Sequence, residues 1–124
     1  MLCLVAGSAV VPLLAATVTL AWTHSVERVA WEEDWRWTPA GIELAEARVR
    51  GSGAGMDPPP EARRVGGAWA WRPAAAPRRE VLLRRSGATA DWRVCVSGRC
   101  RAMAAYLPAD ADPVALTGCE NVSG

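Results

Sequence analysis

Lysine and phenylalanine are both absent from this 124-residue sequence, and histidine occurs once. With a single imidazole there is no second base for a Ser-His-Asp arrangement, and Ser25, which directly follows His24, points to the opposite face of an extended strand. Hydrolysis of that kind is excluded. The missing lysine also weakens a phosphate-binding reading of Gly51-Ser52-Gly53-Ala54-Gly55-Met56-Asp57. Its composition suits a phosphate cradle, but Pro58-Pro59-Pro60 block the helix whose N-terminus would hold the anion. Charge of one sign is lacking too: fourteen basic residues against thirteen acidic ones leave a formal charge of +1, so no electrostatic footprint invites nucleic acid. No stretch carries a helical period of useful length, and there is no internal repeat.

What is present is tryptophan. Seven Trp stand beside abundant Ala and Gly and an all-Arg set of cations, a composition that a GC-rich coding bias produces. The competing reading is that several Trp line a binding surface, because Trp supplies large, rigid contact area. The strand pattern assigns most of them to the core. The chain is long enough for one hydrophobic core and too short for two ordinary domains.

The most informative stretch is Thr17 to Thr38. Val18, Leu20, Trp22, His24 and Val26 alternate with polar or small residues, and Val29, Trp31, Glu33, Trp35 and Trp37 do the same further on. This period of two predicts half-buried strands. A turn centred on Glu27-Arg28 would pair Trp22 with Glu33, Leu20 with Trp35 and Val18 with Trp37, with every apolar side chain on one face. Thr38-Pro39-Ala40-Gly41 then turns into a strand over Ile42 to Arg50, with an irregularity where Leu44 and Ala45 adjoin. Gly51 to Pro60 reads as a loop. Short strands follow at Trp69-Ala70-Trp71 and Glu80 to Arg85, a hairpin at Asp91 to Met103, and a last strand at Pro113 to Thr117. The expected fold is therefore all-β, an antiparallel β-sandwich or partly closed barrel in one domain.

No charged side chain precedes Glu27, which invites comparison with a signal peptide or membrane span. There is no basic leader, Pro12 interrupts the run, and Gly7, Ser8, Thr17, Thr19 and Thr23 dilute it. Strands near Leu2-Ala6 and Thr17-Val26 are the preferred reading, with any export signal absent or upstream.

Four cysteines permit two disulfides, and so an oxidising compartment. Cys95 and Cys100 flank a Ser97-Gly98 turn that sets them directly opposite, and Cys3 with Cys119 would then tie the chain ends together. The spacing does not match the usual zinc knuckle.

His24 and Glu33 share the apolar face. They read either as a buried hydrogen-bonded pair or as an acid and imidazole that contact a ligand. The up-down-up path of the strands brings Arg50 and the Gly51-Met56 loop to the same rim, so His24, Glu33, Arg50, Gly53 and Gly55 form a candidate site for a small carboxylate. No cofactor is implied. Arg63-Arg64, Arg78-Arg79 and Arg84-Arg85 read as solvated strand ends, and Asn121-Val122-Ser123 as a chance sequon.

Trp22-Thr23-His24-Ser25-Val26-Glu27, the Gly51-Met56 segment with its prolines, and Arg85-Ser86-Gly87 leading to Trp92, Cys95 and Gly98-Arg99-Cys100 together carry a resemblance. Over nearly its whole length the chain resembles the bacterial domain of unknown function family 1850. Members are commonly encoded beside the membrane subunit of TAXI-type TRAP transporters, which import organic acids with a solute-binding protein. The resemblance implies no catalytic residues. It implies an accessory, non-enzymatic binding module of solute uptake, in the periplasm or on the outer face of the inner membrane, with the transporter's membrane subunit or its solute-binding protein as partner. Two other classes stand beside it: a small metal-dependent or acid/base enzyme using His24 and Glu33, and a purely structural domain.

Overall fold

The computed structural model describes residues 1–23, 29–50, 58–87 and 90–122. Among them the chain forms eleven strands: β1 (Leu2–Ala6), β2 (Ala9–Pro12), β3 (Thr17–Thr23), β4 (Ala30–Thr38), β5 (Gly41–Arg50), β6 (Arg63–Val65), β7 (Ala68–Trp71), β8 (Glu80–Leu83), β9 (Arg93–Val96), β10 (Arg99–Ala102) and β11 (Val114–Gly118). They build a four-stranded sheet ordered β2-β1-β11-β8 and a seven-stranded sheet ordered β10-β9-β3-β4-β5-β7-β6. Every pairing is antiparallel. The two sheets pack as a sandwich; the barrel alternative does not form.

Alternation explains the core. Leu2 and Leu4 of β1, Val114 and Leu116 of β11 and Leu83 of β8 face Val18 and Leu20 of β3, Trp35 of β4, Ile42 of β5 and Val94 of β9. Most of these side chains are fully buried, each worth about 1.5–3 kcal/mol relative to exposure. Met103 and Leu107, on the turn after β10, close one end of this cluster.

The period-two reading holds for β3 and β4, but their register differs by two residues from the expected one. Trp22 pairs with Trp31, Leu20 with Glu33 and Val18 with Trp35. A shift of two leaves every side chain on its own face, so alternation cannot distinguish the two registers. Specific contacts select the observed one: Trp22 stacks on Trp31 with centroids 6.1 Å apart, and the Thr19 hydroxyl donates to Asp34 Oδ1 at 2.7 Å. The expected turn residues Glu27 and Arg28 lie outside the described residues.

The irregularity in β5 is present: Trp35 pairs with Leu44 and Asp34 with Glu46, which leaves Ala45 as the extra residue of a bulge. Two strands were not expected. β2 returns on β1 through Gly7-Ser8, and β6, which contains Arg63 and Arg64, pairs with β7. Arg63 and Arg64 are exposed, as expected of solvated strand ends, but Arg85 is not one. Its side chain is only 4% exposed and grips Asp91 through two nitrogens, at 3.1 and 2.8 Å. It also donates to the carbonyls of Pro108, Ala111 and Leu107. No helix among the described residues is long and apolar enough to cross a membrane.

Candidate functional site: a tryptophan row beside Glu33

The inward face of the seven-stranded sheet extends beyond the residues of the main core cluster, toward the ends of β3 and β5. Its central rows meet the four-stranded sheet, and the aromatic residues at this end, Trp22, Trp31, Trp69 and Trp71, lie outside that core cluster. Cross-strand register places Trp22, Trp31, Val49 and Trp69 side by side in one row. Trp92, just before β9, extends it: its ring lies 4.8 Å from that of Trp22. The neighbouring row runs Val94, Leu20, Glu33, Ala47 and Trp71. Ala47 and Val49 are the small members between the aromatic strands. Trp71 meets Trp31 edge-on at 6.2 Å across that gap.

These indoles are half-buried. Of the Trp on the β3–β4 face, only Trp35 is buried, which corrects the expectation that the core takes most of them. Trp37 reaches the far end of the sandwich, where its Nε1 donates to both carboxylate oxygens of Glu120 at 2.8 and 3.0 Å. Trp92 Nε1 donates to the Arg84 carbonyl at 2.8 Å. Arg64 already lies over the Trp69 ring, 5.2 Å from its centroid.

Glu33 is the one acidic residue on this inward surface of β4. Its Oε1 accepts a 3.3 Å hydrogen bond from Trp35 Nε1, and burial raises its carboxyl above the usual glutamate range despite that bond. No cation pairs with it among the described residues. The opposite face of the same sheet is the reverse case. Arg48 donates to Asp34 at 2.7 and 2.8 Å, to Glu46 at 3.0 Å and to Glu32 at 3.4 Å. Arg48 holds the Asp34 carboxyl below its ordinary range, and Asp34 in turn pushes the guanidinium further up.

The carboxylate site expected from sequence is only partly described. His24, Gly53 and Gly55 lie outside the described residues, and so does the His24–Gly53 separation. Thr23 and Arg50, the last described residues before those segments, do share one rim row with Ala30 and Ala68. Arg50 and Glu33, however, are not brought together. Arg50 lies on the outward face, where it donates to Glu32 at 3.0 Å and to the Gly66 carbonyl at 3.1 Å. Glu33 stands inward, opposite Leu20.

Both expected disulfides form. Cys3 joins Cys119 and Cys95 joins Cys100. Cys95 and Cys100 are direct register partners around a turn in which Ser97 and Gly98 both have positive φ, 52° and 80°, the requirement of a two-residue type I′ hairpin. Two disulfides point to an oxidising, extracytoplasmic compartment. Among the described residues no group of three or more His, Cys, Asp or Glu is placed to hold a metal ion.

Trp69, Trp71 and Trp92 were legible as strand residues but not as members of this surface. The signal was their alternation, Trp69 with Trp71 and Trp92 with Val94; what was missing was cross-strand register across long loops. Fold and surface together define a disulfide-linked β-sandwich with an aromatic extension of its inner face. The model of the family described as Domain of unknown function (DUF1850) matches residues 18–103, and the chain belongs to that family. The match is narrower than the resemblance suggested: it contains β3 from Val18 onward through β10, hence all of the seven-stranded sheet but Thr17, with its Trp row, while β1, β2 and β11 lie outside it. No curated protein and no solved structure matches the chain.

Proposed function

We propose that the protein is a non-enzymatic binding module of the extracytoplasmic side, accessory to a solute transporter of the TAXI-type TRAP class, and that it holds its ligand or partner on the tryptophan row. The observation that carries this reading is the row itself. Half-buried indoles side by side, next to a carboxyl that no cation pairs with among the described residues, are costly to leave facing water and have the character of recognition surfaces. The transporter context comes from the resemblance, and the disulfides support an extracytoplasmic location. The row lies within the span shared with the family, consistent with a function common to its members.

The test is capture from native membranes. Tagged protein should bring down the transporter's membrane subunit or its solute-binding protein. Repeated recovery without either would remove the transporter from the account.

A further inference from the structure

We propose that the tryptophan row and Glu33 form a site for an organic cation, an alkylated ammonium or guanidinium group, rather than for the carboxylate that the sequence suggested. The inference deepens the binding-module reading and rests on it. Three observations converge. First, the indole faces offer the negative side of the ring quadrupole, which attracts cations, Trp most strongly of the aromatic residues. Arg64 over Trp69 shows that a guanidinium already occupies one end of the row.

Second, the charge inside the site has the right sign. Glu33 lies in the row next to Trp31, two residues along the same face of β4 and so about 7 Å away. Its cross-strand neighbours are Leu20 and Ala47, with Trp71 beyond, and its hydrogen bond comes from Trp35. Third, the arginines on β5, the strand paired with Glu33's own, are committed to the other face, and Arg64, the one guanidinium on the row among the described residues, lies at its far end over Trp69. Arg48 and Arg50 lie on the outward face, bound to Asp34, Glu46 and Glu32. An anion placed on the row would meet Glu33 and the negative ring faces. A cation would meet a counter-ion and indole rings, and its alkyl groups would pack on those rings. A bare metal ion is not the expected ligand, because one carboxylate amid indoles supplies too few oxygen donors.

Two sources share this chemistry: a free solute and an exposed Arg or Lys side chain of a partner. The test uses intrinsic Trp fluorescence, titrated separately with tetramethylammonium chloride, with a capped arginine peptide and with sodium succinate, against sodium chloride at matched ionic strength. Either organic cation should produce a saturable change that sodium chloride does not. Tighter binding of tetramethylammonium identifies a solute site, and tighter binding of the peptide identifies a partner side chain. Glu33→Gln, which keeps the shape and the Trp35 hydrogen bond, should weaken the cation by about fivefold or more. Trp31→Leu should weaken it further, with the fold of each variant checked by far-UV circular dichroism. Saturation by succinate alone, or unchanged cation affinity in folded Glu33→Gln, overturns the proposal. Transporter capture reads a separate property: failed capture with intact cation binding removes the partner and leaves the site, and the converse removes the site and leaves the partner.

Discussion

The two disulfides close loops of very different size, and that difference predicts two different losses of stability. Cys3 and Cys119 are 116 residues apart in sequence, whereas Cys95 and Cys100 are 5 apart. A cross-link stabilises mainly by restricting the unfolded chain, and the restriction grows with the logarithm of loop length. The end-to-end link is therefore worth about 4.9 kcal/mol and the hairpin link about 2.2 kcal/mol. The native contacts sharpen the contrast. Cys3 is 2% exposed and lies on β1 between β2 and β11, so the long link also holds the terminal strand on which Leu2 and Leu4 enter the core. The perturbation is the paired replacement Cys3→Ala with Cys119→Ala, compared with Cys95→Ala with Cys100→Ala. Guanidinium unfolding under oxidising conditions should show the first pair losing roughly twice the free energy of the second, and on heating the first pair's midpoint should lie about 10 °C below the second's. Equal losses, or a larger loss for the hairpin pair, would refute the loop-entropy reasoning.

Other perturbations report on other parts of the structure. Arg85→Met should cost about 3 kcal/mol in chemical denaturation, because it strands Asp91 and the carbonyls that Arg85 now serves; a loss below about 1 kcal/mol would show that water replaces the guanidinium there. Gly41→Ala should cost about 2 kcal/mol or more, since φ is 133° and a Cβ would stand 2.6 Å from the Arg78 carbonyl oxygen; an unchanged melting point would contradict that close approach. Glu33 is protonated in both states well below the ordinary value of 4.5, and its folded value is higher. As pH rises from the unfolded value through the folded one, the unfolded chain releases its proton first, so stability falls across that window. Glu33→Gln should remove this fall and raise stability at pH 7; a variant less stable than the parent at pH 7 would show that the carboxylate is better compensated than its surroundings indicate.

Alternation made β3, β4 and β5 legible, because residue type repeats every second position where one face is buried. The same property concealed the register, since a two-residue shift preserves the pattern. The bulge at Ala45 was visible as a break in that alternation, between Leu44 and the inward Ala47 and Val49. β2 escaped because Ala9 to Pro12 is mostly exposed and its four residues hold no clear period. β6 escaped because three residues, two of them Arg, carry no strand signal of their own and are held by pairing with β7. Of the candidate site, Glu33 was legible as an acid on an apolar face. That Arg50 turns away from it follows from parity across the bulge, which moves Glu46, Arg48 and Arg50 onto the outward face together. The Trp row depends on pairings between strands far apart in sequence, and no local pattern records those.

The central claim is that the tryptophan row is the recognition surface, and hydroxyl-radical footprinting read by mass spectrometry tests it most directly. The purified protein would be oxidised alone and with the transporter's membrane subunit and solute-binding protein present in excess. The account predicts that Trp22, Trp31, Trp69 and Trp71 become protected, while Trp37, tied to Glu120 at the other end of the sandwich, oxidises as before. Unchanged oxidation of all four of these tryptophans in the presence of those proteins, or protection confined to Trp37, would contradict it.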